Sequence, residues 1–418
     1  MSGPPVIELG TPGAGPAPAA APGPRRLSPG SRAAAAVLAV AAALLLLAAA
    51  APPDAGPVRR VATVPFDDQY AYSSDGELLY VPTAGALSAY RLADGRRRWS
   101  VALGASGVRW DAPAGVLLGR APGGAATVAL DPATGAELWE LPGTVAGTRA
   151  GTVLLTEGDA GQARVARART GELLWSGPVA RTDTLALAGP GLLAVLAQDG
   201  AATVRRLDGP TGEPPVRGRV ERRFGAVDPL GSAETLTIGG RLHLVDSDAY
   251  GTTVAAYRLD TLERLWRVQD PAQRTLHDCG PVLCLAGGGS LDGLDPATGE
   301  RRWVNDAWAG VLAATGGLLA VQNDDRVLPH LGQVDAATGR TVADLGDGTF
   351  AWGTPDLLVR QDRADPRDTV VVRVAGGRAT PAGTLDGTVR EACEGAGAYL
   401  VCPTVDDVLA VWRVTAGR

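Results

Sequence analysis

Lysine is absent: every one of the 39 basic residues is arginine. That excludes a Schiff-base enzyme, a Walker phosphate loop and a kinase-type phosphate clamp, all of which need a lysine. Histidine is nearly as scarce. His243, His277 and His330 stand far apart, and no HExxH pair exists to hold a hydrolytic zinc. No GxSxG elbow occurs, nor a GxGxxG phrase after a strand. There are two isoleucines, two asparagines, 3 Phe and 1 Met, a pattern that partly reports GC-rich codon usage. What is abundant is glycine (56) and proline (31), together about a fifth of 418 residues. That is too much chain punctuation for a helical bundle. At 45% hydrophobic the chain is also too apolar for a disordered polymer.

Residues 1–32 are rich in Pro, Ala and Gly and have no periodicity, so a disordered tail is expected. Arg25, Arg26 and Arg32 close it. The 19 residues 33–51 then carry no polar side chain: twelve Ala, five Leu and two Val. As a helix at about 1.5 Å per residue this run nearly matches the hydrocarbon core, and Pro52 and Pro53 stop it. The arginines before it place the short tail in the cytoplasm and the long remainder outside. The reading is a signal anchor at the cell membrane. Ala49 and Ala51 also offer an Ala-x-Ala cleavage site, but the 32-residue leader is long for a signal peptide. Residues 52–64 are expected to form a linker and a strand able to close a ring, ahead of one folded domain over 65–418. From residue 52 onward 36 Arg face 44 acidic residues, a net of −8, which disfavours nucleic acid as a partner.

One phrase recurs through that domain. Asp131-Pro-Ala-Thr-Gly135-Ala-Glu-Leu-Trp139 returns as Asp295-Pro-Ala-Thr-Gly299-Glu-Arg-Arg-Trp303. Worn copies carry Gly95 with Trp99, Gly171 with Trp175, and Leu262 with Trp266; Gly212 and Gly339 mark two more. The markers are 40, 36, 41, 50, 37 and 40 residues apart, a propeller-like period. The aspartate can accept bonds from amides ahead of it, the glycine supplies positive φ, and the tryptophan offers a flat packing surface. Before each phrase lie alternating apolar strands such as Thr127-Val-Ala-Leu130. With three to four short strands per unit, each unit reads as one blade of four-stranded antiparallel sheet. Strand starts near 78, 116, 152, 192, 241, 282, 318, 357 and 398 make nine units. Nine exceeds the usual four to eight, so one unit is read as absorbed. The expectation is an all-β, single eight-bladed β-propeller preceded by one transmembrane helix.

The phrase resembles the Asp-x-x-Thr-Gly-x-x-x-Trp blade signature of the pyrroloquinoline-quinone-like β-propeller repeat family, over roughly residues 65–415. Quinoprotein alcohol dehydrogenases and the BamB-type assembly factor share that fold, so the resemblance implies a propeller and leaves the function open. A working quinoprotein of this kind has vicinal cysteines and a calcium held by acidic and amide side chains. This chain has no adjacent cysteines, and only Asn305 and Asn323 as asparagines. No cofactor is expected.

Other candidate chemistry has a plainer reading. Asp246-Ser-Asp248-Ala-Tyr250 echoes a calcium loop without its closing glutamate, and Asn323-Asp324-Asp325 is an acidic tip; both are read as solvated loops. His243 is read as a surface or packing residue. Arg96–Arg98, Arg205–Arg206 and Arg301–Arg302 are read as charges protecting strand edges. Cys279 with Cys284, and Cys393 with Cys402, sit in the same repeat register. Two local bridges are therefore favoured among three connectivities, as suits an exported domain. No catalytic residue and no metal ligand is assigned. The functional expectation is a non-catalytic, membrane-anchored scaffold outside the cytoplasm, presenting loops to a protein or cell-envelope partner. A ligand-sensing ectodomain and a quinone- or metal-dependent redox enzyme are the alternatives.

Overall fold

A computed structural model describes residues 58–415, apart from 68–70, 104–107, 158–160, 181–182, 189–190, 198, 208–213, 222–231, 249, 324–328, 355, 362–367 and 389–392. The expected tail, the apolar run 33–51, the marker Gly212 and the acidic Asp324 and Asp325 lie outside the described residues. Among the described residues no helix is long and apolar enough to cross a membrane.

The described residues form nine four-stranded antiparallel sheets. Blades 1 to 8 span 73–102, 109–142, 144–178, 184–219, 232–270, 275–305, 310–347 and 349–386. Blade 9 takes three strands from 394–414 and its fourth from the other end of the chain, Val58–Pro65, which pairs antiparallel with Val408–Val414. First strands lie against each other between blades 1 and 2, 3 and 4, and 4 and 5, so strand order within a blade runs from the inside of the ring outward.

The burial pattern follows from this arrangement. The second and third strands of each blade pack against neighbours on both faces. They therefore read as continuous apolar runs instead of alternating ones: Val116, Leu117 and Leu118 are all buried, as are Val153, Leu154 and Leu155. The outer strands alternate, as in Arg97–Ala102, because one face meets solvent.

Nine blades, not eight, is a correction to the sequence expectation. The nine hydrophobic clusters settle it, because each one bridges a single junction between consecutive blades. The last joins Val401, Leu409 and Val411 of blade 9 and Val64 of its N-terminal strand to Leu79, Val81 and Leu92 of blade 1. A cluster at every junction leaves no unit absorbed. Counting the turn phrase undercounts the ring. Blade 8 turns through Gly376 and Gly377, both at positive φ, and blade 9 has no continuous third-to-fourth connection at all.

Both disulfides are local: Cys279 to Cys284 in blade 6 and Cys393 to Cys402 in blade 9. All four cysteines are buried. Each bridge ties the end or beginning of an innermost strand to the second strand of its own blade.

Candidate functional site

The turn phrase builds a docking station between blades. In blade 2 the Asp131 carboxylate accepts the amides of Ala133 (3.1 Å) and Thr134 (3.2 Å) and the Thr134 hydroxyl. Asp295 likewise accepts the Ala297 and Thr298 amides, and Asp335 the Thr338 amide and hydroxyl. The Arg302 guanidinium bonded to Asp295, and the Thr298 and Ala297 amides, hold that carboxyl below its ordinary range; Asp335 is lowered mainly by the Thr338 hydroxyl and amide. The turn then passes through a glycine in the left-handed region, at φ +66 for Gly95, +72 for Gly135, +70 for Gly171, +75 for Gly299 and +71 for Gly339.

That glycine has a second duty. A Cβ on Gly135 would lie 2.7 Å from the Trp99 ring, one on Gly171 2.6 Å from Trp139, one on Gly299 2.6 Å from Trp266, and one on Gly339 2.4 Å from Trp303. Each tryptophan therefore docks on the turn of the following blade. Its indole N–H donates to the carbonyl just after the first turn residue: Trp99 to Pro132 (2.9 Å), Trp139 to Ala168 (2.9 Å), Trp266 to Pro296 (3.2 Å), Trp303 to Ala336 (3.1 Å). The outer strand carries a bulge one residue before each tryptophan, at Arg98, Leu138, Leu174, Leu265 and Arg302, which re-aims the ring toward its neighbour. Trp139 and Trp266 are buried, whereas Trp99, Trp175 and Trp303 are half-buried. Trp303 lies between two glycines, Gly293 and Gly339, at the rim.

Two stations are built differently, and both keep the fit. Where Leu262 replaces the turn glycine it adopts φ +57, and its side chain fills the space over Gly218 in blade 4, whose tryptophan position is Val216. At the closing junction Ala62 stands where a tryptophan stands elsewhere, and Gly95 approaches it instead. The residues singled out in the sequence thus form a packing device repeated around the ring, with no convergence on one point.

The structure revises three readings of charged residues. Arg205 and Arg206 lie on the third strand of blade 4, not on an edge. Arg301 turns inward, its guanidinium 2.9 Å from Asp292 and 3.3 Å from Asp270, both buried. Arg274, from the loop between blades 5 and 6, bonds Asp270 and the Ser290 hydroxyl and carbonyl, while Ser290 donates to Asp292. This two-arginine, two-aspartate lock is neutral and internally satisfied, so it holds blades 5 and 6 together and offers no open valence. Sequence reading missed it because nothing in Asp270-Pro-Ala-Gln-Arg274 marks burial. Asp246, expected in a loop, is instead buried within the strand Arg241–Asp248. Among the described residues no group of three or more His, Cys, Asp or Glu is arranged to hold a metal ion.

Two histidines have defined roles. His330 places Nδ1 2.8 Å from Asp347 and Nε2 2.8 Å from Asp344, and stacks on Trp308. Both nitrogens must donate, so the ring is favoured as imidazolium and its pKa is raised, chiefly by Asp347. His243 is the opposite case. It is fully buried beside Trp266, at a strand position held by Leu118 and Leu154 in blades 2 and 3. Neither nitrogen has a hydrogen-bond partner; the Leu236 backbone lies near without the geometry for one. Burial drives its pKa down to about 4, with Arg241 adding to the effect and Leu236 and Asp278 opposing it. The unfolded chain binds the proton near 6.5, so stability falls as pH drops from 6.5 toward 4 and is unaffected above that window. His243→Leu is expected to match or exceed the wild type at pH 7 and to lead it by about 2 kcal/mol at pH 5 in urea titrations. An equal difference at both pH values would show that folding does not lower the His243 pKa.

Large apolar side chains remain exposed at defined points. Trp352 is 69% exposed, yet its backbone is fixed: its N–H donates to Cys393 (2.9 Å) and its carbonyl accepts from Gly395 (2.7 Å), across blades 8 and 9. Tyr250 and Val405 stand 79% and 71% exposed on turns between second and third strands.

Residues 124–305 match the family model described as "Outer membrane protein assembly factor BamB". No curated protein matches the chain. Among solved structures, BamB from Moraxella catarrhalis aligns at 14% identity over 85% of this chain and 99% of that one, with a TM-score of 0.44. A structure titled "Crystal structure of the eukaryotic initiation factor" aligns at 12% identity over 77% of this chain and 87% of that one, with a TM-score of 0.54. The dihydro-heme d1 dehydrogenase NirN aligns at 16% identity over 66% and 65%, with a TM-score of 0.44. At 12% identity the second of these likenesses speaks for the fold alone and indicates no activity.

Proposed function

A ring of nine blades carrying the pyrroloquinoline-quinone-like propeller repeat is the premise from which we propose that this protein is a membrane-anchored, extracytoplasmic scaffold. It holds a protein or cell-envelope partner and performs no chemistry of its own. Trp352 carries the reading. An indole exposed on a backbone fixed between two blades, beside a disulfide, is a preorganised anchor that loses little entropy when a partner covers it. Three further features support it. Arginines precede the apolar run 33–51, the cysteines form two local pairs, and the matching family model is described as an assembly factor.

The test uses a photo-crosslinking amino acid beside Trp352 in the membrane-bound protein. A discrete cross-linked partner is expected, lost in Trp352→Ala while melting stays unchanged. A visible chromophore with substrate turnover in the purified ring would overturn the non-catalytic assignment. Two reduced cysteine pairs in the native protein would overturn the extracytoplasmic placement.

A further inference from the structure

Blades 2 and 3 leave a cavity of about 410 Å³ between them, against their innermost strands. Its lining includes Arg109, Leu118, Arg120 and Thr127 from blade 2, and Thr144 and Ala146 from blade 3. The register explains the grouping. Arg109 pairs with Leu118, and Arg120 with Thr127, which puts all four side chains on the face of blade 2 turned toward blade 3. Two guanidinium groups therefore share one face on adjacent strands, two positions apart.

Both arginines are exposed, so water screens most of their repulsion, and an anion held between them would relieve the remainder. Among the described residues neither arginine has a carboxylate partner within ion-pair distance, and no acidic residue lines the cavity. Asp111, two residues along from Arg109, feels its charge without pairing to it. The threonines are already committed as donors: Thr127 to the Gly143 carbonyl (2.7 Å) and Thr144 to Thr156 (3.4 Å). This leaves the arginines as the free donors. The charge is also peculiar to this blade. In seven of the other eight blades the position of Arg120 is held by Pro82, Thr156, Leu196, Val245, Ala286, Gln322 and Pro403, none of them charged. A repeat that needs no arginine there for packing has one facing a cavity of ligand size.

We propose that the cavity between blades 2 and 3 is a binding site for a small polyanion, whose phosphate or carboxylate groups are gripped by Arg109 and Arg120. Guanidinium forks bind either group through paired, charge-assisted hydrogen bonds. The site is independent of the Trp352 surface and does not rest on the scaffold reading.

Isothermal titration of the full chain with pyrophosphate, with citrate and with neutral glucose tests it. At 20 mM salt at least one anion is expected to bind 1:1 below 1 mM, and glucose not at all. Binding by pyrophosphate alone identifies a phosphate ligand, by citrate alone a carboxylate, and by both a site that reads charge. Arg109→Ala and Arg120→Ala should each weaken binding at least tenfold with unchanged melting, and Arg97→Ser should leave it intact. Should an alanine variant misfold, Arg120→Gln serves the same purpose. Absence of binding by both anions up to 10 mM would overturn the proposal, as would undiminished binding in the arginine variants.

Discussion

Trp139→Ala is expected to destabilise the ring by about 3–5 kcal/mol, the range for removing a large aromatic side chain from a core. Three losses add up at this one position. The buried indole leaves a cavity between blades 2 and 3, the Ala168 carbonyl loses its donor, and Gly171 loses the ring carbons packed against it. Arg97→Ser, on an exposed outer-strand position, should change stability by no more than about 0.5 kcal/mol. Denaturant titrations of the two variants give the comparison. Were Trp139→Ala to leave stability intact and abolish binding of some ligand, the turn phrase would be a recognition site. Its recurrence around the ring argues for packing, since one ligand would need it once.

Removing the closing strand should be more damaging still. A protein beginning at residue 67 lacks Val58–Pro65, and with it the fourth strand of blade 9. It loses buried Val64, the Arg60 guanidinium over the Trp412 ring at 5.9 Å, and Ala62, on which Gly95 of blade 1 closes. The Val408–Val414 strand becomes an open edge, and open edges pair with other chains. With a total stability of order 5–15 kcal/mol, the shortened protein is expected to aggregate or unfold without a cooperative transition. The protein covering 56–418 should unfold cooperatively, and a synthetic peptide of residues 56–67 should partly rescue the shorter form. A 67–418 protein melting within about 2 °C of the longer one would show that the ring does not depend on this closure.

The architecture was legible in the sequence because packing repeats leave periodic marks. Strand starts inferred near 78, 116, 152, 192, 241, 318 and 357 coincide with second strands beginning at those residues. What misled was a prior on blade number, since the sequence itself already counted nine units. The inter-blade interactions were less legible. A turn glycine and a tryptophan are visible in one copy, but their contact is made between different copies: Gly171 meets Trp139 of the blade before, not Trp175 of its own. Leu262 looked like decay of the phrase and is a compensated exchange with Gly218. Arg301 and Arg302 are adjacent, yet one turns into a buried aspartate pair and the other sits at a bulge on the rim. The Arg109–Arg120 pairing depends on strand register, which no spacing in the sequence reveals.

The most direct measurement is a double-mutant cycle between Trp139 and Gly171. In the wild type a Cβ on Gly171 would lie 2.6 Å from the indole, at φ +70. Gly171→Ala therefore carries both a clash and backbone strain. In the Trp139→Ala background the indole contacts at 2.6 and 3.0 Å are gone, and what remains is the contact with the Cβ of residue 139 at 2.9 Å and the strain of about 1 kcal/mol. The account predicts that Gly171→Ala costs at least about 1 kcal/mol less in the second background than in the first. Equal costs in both would mean that the tryptophan does not dock on the next blade's turn, and the central claim would fall.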